Sequence, residues 1–198
     1  DERANFYSAL YHTLVVPNIV NDVDGAYRRH DMTIDTVPAG ENRYSTLSLW
    51  DTFRSWHPQM TLVDSKLISD IVKSCLDMYD KTGELPLWPL SAGETWCMIG
   101  YHSASVIAEA YLKGIRDFDA EHALEAMVVS SNKNGKGSAE YVANGFIPAN
   151  KRSESVSCAL EYSYNDWCIA QMAKALGKED IYNEYIKRAG NYANVFDG

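Results

Sequence analysis

Apolar residues recur at helical spacing along most of the chain, and two kinds of helix alternate. Over Ser65–Thr82, Leu67, Ile68, Ile71, Val72, Cys75, Leu76 and Tyr79 form one stripe, with Lys66, Asp70, Lys73, Asp77 and Lys81 opposite. That is the pattern of an outer, half-solvated helix. Asp64 or Ser65 can cap its start, and Gly83 suits the left-handed residue that ends it. Ser103–Lys113 differs: Ala104, Val106, Ile107, Ala108, Ala110, Tyr111 and Leu112 lie nearly all round it. A helix without a polar face is predicted to be buried on every side. Asp119 opens another outer helix through Ser131, carrying Leu124, Met127 and Val128. Glu154 to Leu176 reads as a long inner helix, with Val156, Leu160, Trp167 and Ala170 on one face and Tyr162, Ile169, Ala173 and Leu176 on others. Gly177 ends it, and Lys178–Phe196 is amphipathic again.

Inner and outer helices in antiparallel succession predict an all-α toroid or an αα-solenoid. The spacing is irregular and no sequence repeat is present, which favours the closed toroid. Its inner helices would converge at one end, where rim loops build a pocket. Two segments have the length for such loops, 18–46 and 83–102. The first follows a helix over Glu2–Val16, built on Phe6, Leu10, Tyr11 and Leu14 and stopped by Pro17. Within it, Asp22-Val23-Asp24-Gly25 reads as a turn and lacks the twelve-residue ligand pattern of a calcium loop. Met32–Val37 alternates like a short strand.

Composition narrows the partners. A net charge of −9 argues against nucleic acid and an anionic membrane surface as partners. No apolar run has membrane length. The 198 residues amount to one domain or a piece of a larger one, and the chain reads as an excised segment. Four cysteines, Cys75, Cys97, Cys158 and Cys168, make no CxxC pair and are expected to be buried free thiols. Thirteen Tyr and five Trp against five Phe favour aromatics with a polar edge, which suits carbohydrate contact.

The candidate chemistry gathers in three places. Ser48-Leu49-Trp50-Asp51-Thr52-Phe53-Arg54 opens a short helix that Pro58 perturbs, and it sets an indole, a carboxylate and a guanidinium within two turns. A carboxylate accepts from ring hydroxyls and an indole stacks on the C–H face of a pyranose. The competing expectation is an Asp51–Arg54 ion pair at i,i+3 beside core aromatics. Glu94, Trp96 and His102 stand before an inner helix, at the rim of the predicted pocket; loop packing and helix capping are their alternatives. Glu161 and Asp166 on the long inner helix either pair structurally, the better reading, or face the pocket. They lie five residues apart, on different faces, and cannot form one catalytic dyad. No GxSxG elbow, HExxH or phosphate-binding glycine loop occurs. The enzyme class left is carboxylate acid–base chemistry on a neutral ligand.

The chain also resembles a known family. Phe6-Tyr7-Ser8-Ala9-Leu10-Tyr11-His12 with Pro17-Asn18 and Asp22-Val23-Asp24-Gly25 is similar to the opening of the glycoside hydrolase family 92 catalytic domain. Tyr44–Arg54 resembles its most recognisable block. The likeness continues through Gly83–Trp88, Cys97–Gly100, Ala110–Gly114 and Leu160–Tyr162, in order along the whole chain.

The resemblance implies a calcium-dependent, inverting exo-α-mannosidase of α-1,2 type with an (α/α)6 catalytic domain, preceded in the intact enzyme by a β-sandwich domain. Residues 1–198 would be a single segment of the toroid, truncated at both ends. Its partners would be a mannose-containing glycan and the rest of the same enzyme, and its location periplasmic, secreted or cell-surface. The family's general acid lies in a Glu-Gly-Asn-Ala-Trp-Gln-Tyr block and its base in an Asn-Asp-Asp-Cys-Gly-Gln block, and neither occurs here. An Asn-Glu-Pro block near the metal is also missing. The expectation is a segment with no catalytic residue and no intact calcium site. Trp50, Asp51, Arg54, Glu94, Trp96 and His102 would be substrate-binding, and Arg54 would hold Asp51. The alternatives are another (α/α)6 toroid glycosidase, glucoamylase- or trehalase-like, and a non-catalytic αα-solenoid.

Overall fold

The computed structural model describes residues 1–133 and 135–196. Four long helices carry the core: α4 (Ser65–Thr82), α5 (Ser103–Leu112), α6 (Ala120–Ser131) and α8 (Ser155–Ala175), and α9 (Glu179–Ala189) packs along α8. α4 begins and ends as its sequence dictates. Asp64 accepts from the Leu67 N–H at 3.0 Å, and Gly83 closes the helix with φ +73°. Asp119 likewise caps α6 through the His122 N–H at 3.0 Å. α5 is buried on nearly all sides, as a helix without a polar face must be. Leu49, Met60, Ile68, Ile71, Ile107, Met127, Ile169 and Met172 meet between these helices in one contiguous core.

Several expectations give way. α1 (Glu2–His12) stops four residues before Val16, and none of its residues is buried. Its apolar stripe finds no partner among the described residues, so Phe6 and Tyr11 lie exposed. The short helix after Ser48 is two helices, α2 (Leu49–Thr52) and α3 (Trp56–Val63). Pro58 perturbs neither, since it sits in the first turn of α3, where a missing N–H costs nothing. A further short helix, α7 (Ser138–Asn144), lies between α6 and α8.

The polar side of α4 is covered rather than half-solvated. Segment 18–46 folds into β1 (Asn18–Ile19), β2 (Ala26–Arg28), β3 (Ile34–Thr36) and β4 (Tyr44–Ser45), paired β1 with β4 and β2 with β3. It lies against α4: Asp70 Oδ2 accepts from the Asn42 N–H at 3.1 Å and from Lys66 Nζ at 2.6 Å, and Ser74 Oγ accepts from the Tyr44 N–H at 2.9 Å. Arg29 bonds Asp77. Buried carboxylates need such partners, because an unpaired one costs several kcal/mol.

The face of α8 read as inner is partly bare. Val156, Leu160 and Trp167 are exposed, while Cys158, Tyr162, Asn165, Asp166, Ile169 and Met172 supply the buried side. Three cysteines are buried and unpaired as expected; Cys97 departs from that expectation and is exposed on its loop.

Candidate active-site segment

α2 is only four residues long, yet its side chains are held from two directions. On one side is Glu161 of α8. Its Oε1 accepts from Trp50 Nε1 at 3.1 Å and from Arg54 Nη2 at 2.8 Å, and its Oε2 lies 3.0 Å from His102 Nε2. Burial works to raise the Glu161 pKa, but the bonds from His102, Trp50 and Arg54 outweigh it and hold it down at about 2. His102 moves down as well, because burial disfavours its charge more than Glu161 favours it. The pair is therefore a carboxylate beside a neutral imidazole.

On the other side, the Ser48 hydroxyl donates to Asp51 and accepts from Trp88 Nε1 at 2.8 Å. Trp88 is held in turn by Glu94, whose carboxylate accepts from the backbone N–H groups of Leu87 at 2.7 Å, Trp88 at 3.0 Å and Trp96 at 2.9 Å. That clasp closes the loop carrying β5 (Pro89–Leu90) and β6 (Gly93–Glu94).

These contacts redistribute the predicted roles. Arg54 does not hold Asp51: it pairs with Glu161, and its guanidinium lies over the Phe53 and Trp50 rings, 4.7 and 5.6 Å from their centroids. The short helix turns Arg54 towards α8, leaving Asp51 exposed with Ser48 as its partner. Glu94 spends both oxygens on backbone amides. His102 is buried at 2% exposure and stacks on Phe53, ring centroids 4.0 Å apart, and its side chain does not cap α5. Trp96 stands apart. It is half exposed and walls a cavity of about 280 Å³ with Leu87, Tyr101, Lys136 and Tyr162. Trp50, Asp51 and Arg54 thus stay together, whereas Trp96 lines a cavity that none of the three borders.

Glu161 pairs with protein groups, the better of its two sequence readings, though which groups could not be read. An acid on an apolar helix was its signal, but its partners lie more than fifty residues away. Behind it, Gly100 is required by close approach: its φ is +80°, and a Cβ there would come 2.4 Å from His102 Nε2 and 3.2 Å from Asn165 Oδ1. Gly100→Ala should therefore lower the melting midpoint of the intact enzyme, by an overpacking cost of about 1–3 kcal/mol. An unchanged midpoint would show that His102 has room to move.

The profile of the glycosyl hydrolase family 92 catalytic domain matches residues 1–198, from end to end. The chain belongs to that family. An α-mannosidase of the family from Bacteroides thetaiotaomicron, solved with mannoimidazole, superposes with a TM-score of 0.94 at 43% identity over 97% of this chain. A second, described as an inverting mannosidase from the same organism, gives 0.90 at 35% identity, also over 97%. An uncharacterized secreted glycosidase of Arthroderma benhamiae is 34% identical in a match that covers 61% of this chain. The family 92 chain spans about a quarter of the solved relatives, 26% and 27%, and 18% of the Arthroderma protein. Its alternating inner and outer helices are part of the (α/α)6 toroid. Family membership displaces the glucoamylase- or trehalase-like and solenoid alternatives that the helical pattern left open.

Proposed function

We propose that the protein carrying this segment is an inverting exo-α-mannosidase of α-1,2 type, located outside the cytoplasm, and that the segment supplies part of the pocket that grips the terminal mannose. One observation carries the reading of the site. Asp51 is a carboxylate left free towards solvent beside Trp50 and Arg54, both held in place from behind by Glu161. Asp51 would accept from sugar hydroxyls, Trp50 would offer its indole to the pyranose, Arg54 would donate to a ring oxygen or hydroxyl, and Trp96 would shape a separate wall. The names of the solved relatives favour mannose as the sugar.

Inverting hydrolysis needs two carboxyls about 6.5–9.5 Å apart, one protonating the leaving oxygen and one activating water. In this chain Asp51 binds and Glu161 and Glu94 are committed to protein donors; because the blocks that carry the acid and base in the resembling family are absent, we assign both to residues outside the segment. Calcium belongs to the same proposal. We place its ligands in the rest of the enzyme, as the missing Asn-Glu-Pro block implies. Purified alone, the 198-residue chain is expected to release no mannose from an α-1,2-linked mannobiose while the intact enzyme does. Mannose release by the isolated chain would overturn the assignment of roles. An intact enzyme that prefers an α-glucoside would overturn the substrate.

A further inference from the structure

Glu161 stands at the end of a run of polar contacts whose direction is fixed from the other end. The backbone N–H of Tyr101 can only donate, and it reaches Asn165 Oδ1 at 2.8 Å. The amide nitrogen of Asn165 therefore points the other way, to His102 Nδ1 at 2.9 Å and Ser105 Oγ at 2.8 Å. A neutral imidazole that accepts at Nδ1 carries its proton on Nε2. That atom lies 3.0 Å from Glu161 Oε2, a close contact without the alignment of a full hydrogen bond, and it has no other partner among the described residues. The Phe53 ring, stacked at an interplanar angle of 5°, keeps the imidazole from turning. Glu161 and Asn165 stand four residues apart on one face of α8, so a single helix surface presents both ends of this relay.

Every neighbour that the relay offers Glu161 is a donor: Trp50 and Arg54 at Oε1, His102 at Oε2. Only a group with no N–H or O–H of its own satisfies all three. Arg54, half exposed just past the end of α2, has many rotamers open to it without this anchor, and ordering such a side chain carries an entropic cost.

We propose that Glu161 is a positioning residue of the sugar site, which fixes the faces that Trp50 and Arg54 present to the terminal sugar through a hydrogen-bond direction set by Asn165. The inference rests on the reading of this cluster as an α-mannoside pocket. It makes a reversal possible. In Glu161→Gln an amide N–H faces the His102 N–H, and the ring cannot change tautomer because Asn165 also donates to it. Adding Asn165→Asp turns the relay round. The new carboxylate accepts from Tyr101 N–H and from a proton now on His102 Nδ1, and Nε2 accepts from the side-chain amide introduced by Glu161→Gln.

The test is steady-state kinetics of the intact enzyme on an α-1,2-linked mannobiose. Glu161→Gln is expected to raise KM about 10–100-fold, the size of one lost hydrogen bond to a charged group, with kcat changed much less. The double variant is expected to recover KM to within about threefold of wild type, a coupling that a merely structural glutamate would not show. A Glu161→Gln enzyme with wild-type KM overturns the inference. So does a folded double variant that shows no recovery. If Glu161→Gln fails to fold, the double variant decides alone: folded with near-native KM supports the relay, unfolded overturns it. A wild-type enzyme that leaves the mannobiose intact overturns the function instead. Crystal structures of the variants then read the inference, with Trp50 and Arg54 displaced in the single variant and returned in the double.

Discussion

Replacing Asp51 with alanine in the intact enzyme should lower kcat/KM on an α-1,2-linked mannoside by about 10²–10⁴-fold and leave the melting midpoint where it was. The magnitude follows from hydrogen bonds to a charged group, worth about 1.5–3 kcal/mol each, and from two sugar hydroxyls within reach of one carboxylate. Each 1.4 kcal/mol is about tenfold. The stability clause follows from the surroundings: Asp51 is exposed and its protein partner is the Ser48 hydroxyl. A loss confined to KM would mean that Asp51 grips substrate and transition state alike; a loss in kcat would mean that the grip tightens as the bond breaks. Unchanged kcat/KM would make Asp51 a structural residue of α2.

Asp166→Ala should have the opposite profile, a large loss of stability of about 3–5 kcal/mol, because it leaves a buried charge without its partner. Asp166 is fully buried and accepts from Tyr101 Oη at 2.5 Å, Tyr141 Oη at 3.0 Å and Arg188 Nε at 3.1 Å. Arg188 passes a further bond to Asn132 Oδ1 at 3.0 Å, so one carboxylate ties the start of α5 to α7, α8, α9 and the end of α6. The measurement is the denaturation transition of the intact enzyme, which should move to lower denaturant. A transition that stays in place would show that the network contributes nothing net.

The pH dependence has a sign of its own. Burial raises the Asp166 pKa from 3.8 to about 6, against Arg188 and the two tyrosine hydroxyls, which pull it down. The folded state therefore holds this proton between about pH 4 and 6, where the unfolded chain has released it. By linkage, the Asp166 contribution to stability falls as the pH rises through that window and is level on either side. Asp166→Asn should remove that slope.

The identities of the helices were legible because each rests on local chemistry. Asp64 and Gly83 bound α4 within the sequence itself, and the absence of polar residues on α5 requires it to be buried. Segment 18–46 was readable as turns and a short strand, but not as the cover of α4. Its bonds to Asp70, Ser74 and Asp77 span about thirty residues or more and leave no periodic trace. The bare face of α8 misled for a related reason: apolar spacing shows that a face seeks cover, and only the packed chain shows whether a neighbour is there.

The candidate site divides in the same way. The sequence by itself determined that Trp50, Asp51 and Arg54 share one short turn, that the inner helices carry acids needing partners, and that the chain runs in family order from end to end. Spacing within a turn is covalent geometry, so a sequence can state it. Only the tertiary structure decided that Arg54 faces Glu161 rather than Asp51, that Glu94 clasps a loop, and that His102 lies behind the pocket. Partner choice among charged groups depends on which helix arrives opposite, over separations of 107 residues for Arg54 and Glu161. Nothing local encodes that.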